Sequence, residues 1–249
     1  MVENRFNTEI MVNYYGIEPG LTVSFPGLMS LLQEASLRHT DSTPHPMKWY
    51  SDNGFGFLLT NWHVRVDKYP SLHDNVTVRT WPTYFKGILS ERYFEMRDDK
   101  NNISARAAAK WVFMDLNKKR ACKPPEEIVK GYGNAYEPEF ERRFEVTSAK
   151  NEFEFESRDY FTITRSGIDS NNHVNNVKYI EWAVDYIPDE IYDSFRIKEA
   201  KVSYKKECLK GERVYFETFV KNGAAPEILS VLKPEGEPDA VLFEANFIF

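Results

Sequence analysis

The sequence predicts an α+β protein in which one pattern, a helix followed by antiparallel strands, is used twice, and three observations carry that expectation. The first is an internal repeat: VRVDKYPSLHDNVTVRTW, Val64 to Trp81, lies without a gap on VSYKKECLKGERVYFETF, Val202 to Phe219. Val64 then meets Val202, Val76 meets Val214, Thr80 meets Thr218 and Trp81 meets Phe219. Repeats of this kind are read before individual elements, because they set the architecture. The second observation is that a stretch with helical spacing precedes each copy. The third is length: 249 residues is one large domain or two small ones at ~150 residues each.

The first helix is expected over Phe25 to Arg38, where Leu28, Leu31, Leu32 and Ala35 fall on one face and Pro26 suits the opening turn. Each repeated string then reads as strand, polar turn, strand, with apolar residues at alternate positions. The first half continues with strands over Leu89 to Arg97 and Ala105 to Leu116, parted by the turn-rich Asp98 to Asn102. The second helix is expected over Val174 to Ile187, with Val177, Ile180 and Val184 in step and Pro188 as the stop. Further strands follow over Ile228 to Leu232 and Val241 to Phe249. Prolines, glycines and charges between the halves suggest domains at 1–130 and 151–249 with a connector at 131–150.

Composition narrows the function. Hydrophobic residues make up 42% and charged residues 28%, with a mean hydropathy of -0.54, which describes an ordinary globular chain. The net charge of -6 argues against nucleic-acid binding by whole-surface attraction. Glu3, Arg5 and Glu9 interrupt any signal peptide, and no apolar run reaches the ~18 residues of a membrane span. Cys122 and Cys208 stand in no metal-ligand spacing, so reduced thiols and a cytoplasmic location are expected. Walker loop, Gly-x-Ser-x-Gly elbow and His-Glu-x-x-His pair are all missing, which leaves nucleotide and metal chemistry without support.

Two spots could do chemistry. In Gly167 to Asn176, Asp169, Asn171 and His173 are spaced i, i+2, i+4, so an extended backbone would project a carboxylate, an amide and an imidazole to one side. They precede a helix N-terminus, whose N–H groups and dipole can polarise a carbonyl. A loop with an N-cap explains the same residues. The second spot is Glu207-Cys208, at the end of the repeated strand where the first copy has Tyr69-Pro70. A thiol or carboxylate there could attack or activate water, and a buried structural cysteine beside a turn glutamate is the other reading. Around it, Arg196 to Arg213 holds seven basic residues, Lys201, Lys205, Lys206 and Lys210 among them, against three acidic ones.

The segment DSNNHVNNVKYIEW resembles the active-site segment of acyl-acyl carrier protein thioesterases, and YKKEC resembles their second catalytic segment. NWHVRVDKYPSLHDNV and KWVFMDLNKKRACKPPEE also look like that family, so the resemblance spans nearly the whole chain. It implies two hotdog domains in tandem, each a long helix wrapped by an antiparallel sheet. It maps the family's Asp-x-Asn-x-His onto Asp169, Asn171 and His173, and its Glu-Cys pair onto Glu207 and Cys208. The implied activity is hydrolysis of fatty acyl-acyl carrier protein thioesters to free fatty acid and carrier thiol, ending fatty acid synthesis, with no cofactor and no metal. The partner would be acyl carrier protein, an acidic protein suited to the basic stretch, with a homodimer left open. The family's acyl pocket lies mainly in the N-terminal hotdog, where Leu28, Leu31, Leu32, Phe55, Phe57, Leu58 and Leu59 are the apolar candidates. The N-terminus lacks the long organelle-targeting extension of the plant members, which suggests a bacterial enzyme. An acyl-coenzyme A thioesterase and a non-catalytic acyl-binding hotdog protein remain as alternatives, and whether Cys208 attacks or only lines the site stays open.

Overall fold

A computed structural model describes residues 5–133, 136–138, 140–147, 149–169 and 172–249. The chain divides into two compact units, one running to Arg142 and one from Arg143 to Phe249, with Asn61–His63 grouped with the second. Each unit is an antiparallel sheet with a helix packed on it, and the fold is α+β with hotdog architecture.

The first unit opens with β1 (Phe6–Met11), then the short pair β2 (Ile17–Glu18) and β3 (Thr22–Val23), α1 (Phe25–Asp41) and α2 (Met47–Asn53). Four long or medium strands follow: β4 (Phe55–Val66), β5 (Asn75–Lys86), β6 (Leu89–Arg97) and β7 (Ile103–Asp115), then β8 (Arg120–Ala121) and α3 (Glu126–Gly131). The sheet order is β1-β5-β6-β7-β4, with β8 on β7. Helix α1 starts where it does because Ser24 caps it, its Oγ accepting the Gly27 N–H at 3.1 Å, and Pro26 preorganises the first turn. Residue 27 has to be glycine. A Cβ there would lie 2.4 Å from the Gly16 carbonyl oxygen, which the chain brings against the helix start. Leu28, Met29, Leu32 and Ala35 close the helix face against the sheet and are fully buried.

One polar cluster sits inside this core. The Arg92 guanidinium donates to His39 Nδ1 at 2.7 Å and to Thr80 Oγ1 at 3.3 Å, and lies over the Tyr132 ring. His39 in turn is stacked on Phe6. Burial first, and the Arg92 charge second, hold the His39 imidazole down at about 3.

The second unit holds β9 (Glu154–Thr162), α4 (Asn176–Asp185), α5 (Asp189–Tyr192), β10 (Glu199–Tyr204), β11 (Arg213–Lys221), β12 (Glu227–Pro234) and β13 (Phe243–Ile248). Its sheet order is β10-β13-β12-β11-β9. Val177, Ile180 and Ala183 on α4 are buried, and the helix packs on β13. The repeat seen in the sequence is a repeat of burial: Val64 and Val202, Val76 and Val214, and Thr80 and Thr218 are all closed off from solvent. Helix α4 is shorter than the expected Val174 to Ile187, because Asn175 caps it and the chain leaves it at Tyr186 ahead of Pro188. Among the described residues no helix is long and apolar enough to cross a membrane.

Candidate active site

The segment before α4 is not extended. Ile168 and Val174 form an isolated antiparallel bridge, the Asp169 N–H donates to the His173 carbonyl at 2.8 Å, and the Asn172 N–H donates to the Asp169 carbonyl at 3.2 Å. Asn172 takes a φ of 63°, a conformation that asparagine tolerates better than most side chains. For Asp169 and His173 the expected projection from one side of a straight strand is therefore replaced by backbone bonds that bring the two residues together. Asn-Asn-His strings turn more readily than they extend. In the loop Asp169 Oδ1 accepts the His173 backbone N–H at 3.3 Å, and Asn171 lies outside the described residues.

The loop leads straight into α4. Asn175 is the N-cap, its side chain accepting the Val177 N–H at 2.9 Å, and its own N–H donates to the Gly167 carbonyl at 2.9 Å. The helix start is thus tied to the beginning of the loop. His173 stands beside the positive end of the α4 dipole.

Glu207 and Cys208 are not at the end of a strand either. Strand β10 stops at Tyr204, and both residues lie in the loop before β11. That loop returns to His173: its Nε2 lies 3.2 Å from Glu207 Oε2, with the side chains 43% and 54% exposed. The structure therefore brings together an imidazole and a carboxylate from separate parts of the second unit, within reach of solvent and of a substrate. Cys208 behaves differently from its neighbour. It is 0% exposed, and burial pushes its thiol up to about 11, with the negative charges of Glu212 and Glu207 adding to the effect. A thiol so placed stays protonated at neutral pH, opposite to the lowered pKa of reactive cysteines.

The sequence reading passed over Tyr179, although the motif contains it. Its hydroxyl accepts the Cys208 N–H at 2.9 Å, linking α4 to the Glu207 loop. The signal available was its place one turn into a capped helix, where a residue can face back toward the loop that precedes it.

The basic residues divide. Lys206 and Lys210 are exposed, Lys205 is half-exposed with its Nζ 3.6 Å from Glu244, and the Lys201 side chain is 16% exposed and lies 3.6 Å from Glu199. The apolar candidates in the first unit divide as well. Leu28, Leu32 and Leu59 are sealed in the core, Leu31 is half-buried, and Leu58 faces outward from β4. Phe55 and Phe57 are partly buried against a cluster of Tyr50, Phe113, Ile128 and Tyr132. Among the described residues no group of three His, Cys, Asp or Glu side chains could hold a metal ion.

Comparison with known proteins gives a consistent set of relatives. The acyl-ACP thioesterase N-terminal domain model matches residues 3–132, and the acyl-ACP thioesterase C-terminal domain model matches residues 149–232. The chloroplastic dodecanoyl-[acyl-carrier-protein] hydrolase of Cinnamomum camphora is 27% identical over 236 residues, covering 88% of this chain and 60% of that protein. The chloroplastic palmitoyl-acyl carrier protein thioesterase of Arabidopsis thaliana is 30% identical over 222 residues, covering 82% of this chain and 52% of that protein. The chain thus spans 60% or less of the length of these two curated relatives. Among solved structures, an acyl-ACP thioesterase from Bacteroides thetaiotaomicron superposes with a TM-score of 0.83 at 19% identity, covering 99% of this chain and 98% of that one. The 12:0-ACP thioesterase from Umbellularia californica superposes with a TM-score of 0.82 at 23% identity, covering 98% and 93%. At these identities the structural likeness is one of fold.

Proposed function

Because this chain belongs to the acyl-ACP thioesterase family, we propose that it hydrolyses the thioester joining a fatty acyl chain to acyl carrier protein, at the close of fatty acid synthesis. The observation that carries this reading is the contact of His173 with Glu207 beside the N-terminus of α4. Hydrolysis needs a base for water, an acid for the leaving sulfur and a polariser for the carbonyl. Glu207 takes a proton as the water oxygen bonds to the carbonyl carbon, and the carbonyl electron pair moves onto its oxygen. The helix N-terminus and Asn171 are the groups proposed to polarise the carbonyl and stabilise that developing charge. When the tetrahedral intermediate collapses, the carbon–sulfur bond breaks and His173 delivers a proton to the departing thiolate. The proton on Glu207 then passes across the 3.2 Å contact to His173, which resets the pair.

Asp169 supports the loop by accepting the His173 N–H, a positioning role. Cys208, buried and protonated, is not the nucleophile in this scheme. In the first unit, the half-buried Leu31, Phe55 and Phe57 are proposed to meet the acyl chain, while Leu28, Leu32 and Leu59 are closed in the core. Lys205, Lys206 and Lys210 are proposed to meet the acidic carrier protein.

A thiol-release assay with acyl-carrier and acyl-coenzyme A substrates in parallel tests the proposal. Faster release from the carrier is expected, and Glu207→Gln should lower it by ~10²- to 10⁴-fold, the usual effect of losing a general base. Full turnover in that variant would reject the assignment. Preference for coenzyme A would replace the proposed partner.

A further inference from the structure

We propose that Tyr179 is a positioning residue that holds the Glu207 carboxylate against His173. The inference rests on the roles just proposed for those two residues, and it starts from how the Glu207 loop is supported. Glu207 sits outside any strand, and half of its side chain faces solvent, so packing does not fix it. Its backbone is held from either side. On the sheet side the Lys206 N–H donates to the Leu242 carbonyl at 3.2 Å, and on the helix side the Cys208 N–H donates to the Tyr179 hydroxyl at 2.9 Å.

The two anchors differ in kind. The first is a backbone bond that continues the β10–β13 pairing. The second depends on a single side-chain oxygen. Tyr179 can serve as a fixed point because it is itself immobilised: it is buried, stacked on Phe243 with ring centroids 5.5 Å apart, and set edge-on to Tyr204 at 5.6 Å. Helix α4 begins just after His173, with Asn175 as its cap, so the first turn of one rigid helix carries the support of both members of the pair.

Tyr179→Phe removes the oxygen and keeps the ring that packs on Phe243 and Tyr204, so the variant is expected to fold. A displacement of about 1 Å in a reacting group can cost ~10²-fold in rate. The expected result is a fall in kcat of about 10-fold or more with KM changed by less than about 2-fold. In a Glu207→Gln background the same substitution should change kcat by less than about 2-fold, because the group being positioned is already gone. Equal losses in both backgrounds, or an unchanged kcat in the Tyr179→Phe single variant, would overturn the inference. A second readout needs no turnover: in the resting protein, Tyr179→Phe should move the His173 Nε2 resonance in the same direction as Glu207→Gln does. An unmoved resonance overturns the positioning role even if melting is lowered. If Glu207→Gln retains full activity, the catalytic reading of Glu207 fails, and the resonance alone still decides whether Tyr179 sets the pair.

Discussion

Replacing Cys208 by alanine separates the two chemistries that the Glu-Cys pair allows. With its thiol at about 11, only ~10⁻⁴ of the Cys208 side chains would be ionised at pH 7. If that thiolate attacked the substrate, turnover would climb about 10-fold per pH unit through neutrality and on toward pH 10. A water mechanism run by Glu207 and His173 has no such climb. We therefore expect Cys208→Ala to keep at least about a third of wild-type kcat, with the wild-type profile flattening above neutrality. The cost should appear in stability. Removing a sulfur from a site with no solvent exposure resembles deleting one buried methylene, ~1 kcal/mol, or a fall of about 2–4 °C in melting temperature for a chain of this size. The pH dependence has a definite sign. The folded protein holds the thiol at about 11, above its ordinary value of 9.0, so between these the unfolded chain gives up its proton first. Stability is then lost as pH rises through the window, by ~1.4 kcal/mol per unit, and Cys208→Ala should escape that loss. Melting of both proteins at pH 7 and pH 10, with mass spectrometry of quenched reactions, supplies the measurements. An acyl group trapped on Cys208, or a loss above about 100-fold in a folded Cys208→Ala protein, would refute the reasoning.

Charge reversal at Lys206 and Lys210 should weaken apparent affinity for acyl carrier protein, and added salt should weaken it in the wild type more than in the doubly reversed variant; a salt-independent affinity would exclude docking by this stretch. Leu31→Trp, at the half-buried position of α1, should shift the preferred acyl length shorter while sparing the rate on short substrates, since two methylenes are worth roughly 1.6 kcal/mol or ~15-fold; equal loss on every length would place the pocket elsewhere. His39, held at about 3 when folded against an ordinary value of 6.5, keeps the folded state from taking up a proton that the unfolded chain accepts, so stability should fall as pH drops below about 6.5, by up to ~1.4 kcal/mol per unit. Urea midpoints between pH 6.5 and 5 should fall less steeply for His39→Asn than for wild type; parallel slopes would show that His39 does not set the acid sensitivity.

What could be read in the sequence was the part governed by burial periodicity. Val64, Val76, Val202 and Val214 alternate with polar residues and all lie inside, so the repeated strands stood out. The edges did not. Strand β9, with Phe155 and Tyr160 exposed and charges on both sides, has no clean alternation, because an edge strand with little buried surface imposes none. Helix α2 is seven residues long, too short to show a period, and it is marked mainly by Gly54 in the left-handed conformation at its end. At the candidate site, the identities of Asp169, His173 and Glu207 were legible as chemistry, and the family resemblance grouped them. Their geometry was not, since spacing along a chain cannot show that an Asn-rich stretch closes into a turn. Nor can it show that the Lys205–Gly211 loop comes back to His173. Tyr179 was hidden for a related reason: its aromatic ring is enough to explain it as core, and the work of its hydroxyl appears only once Cys208 lies opposite.

The way the Glu207 loop hangs between α4 and β13 has a consequence for the order of events during folding. His173 belongs to the turn that starts a helix, and Glu207 to a loop whose backbone is secured at Leu242, next to a strand made later in synthesis. A chain whose β13 has not yet paired with β10 would lack the Leu242 anchor, and the Glu207 loop would hang from Tyr179 alone. Assembly of the His173–Glu207 contact is thus tied to completion of the second sheet.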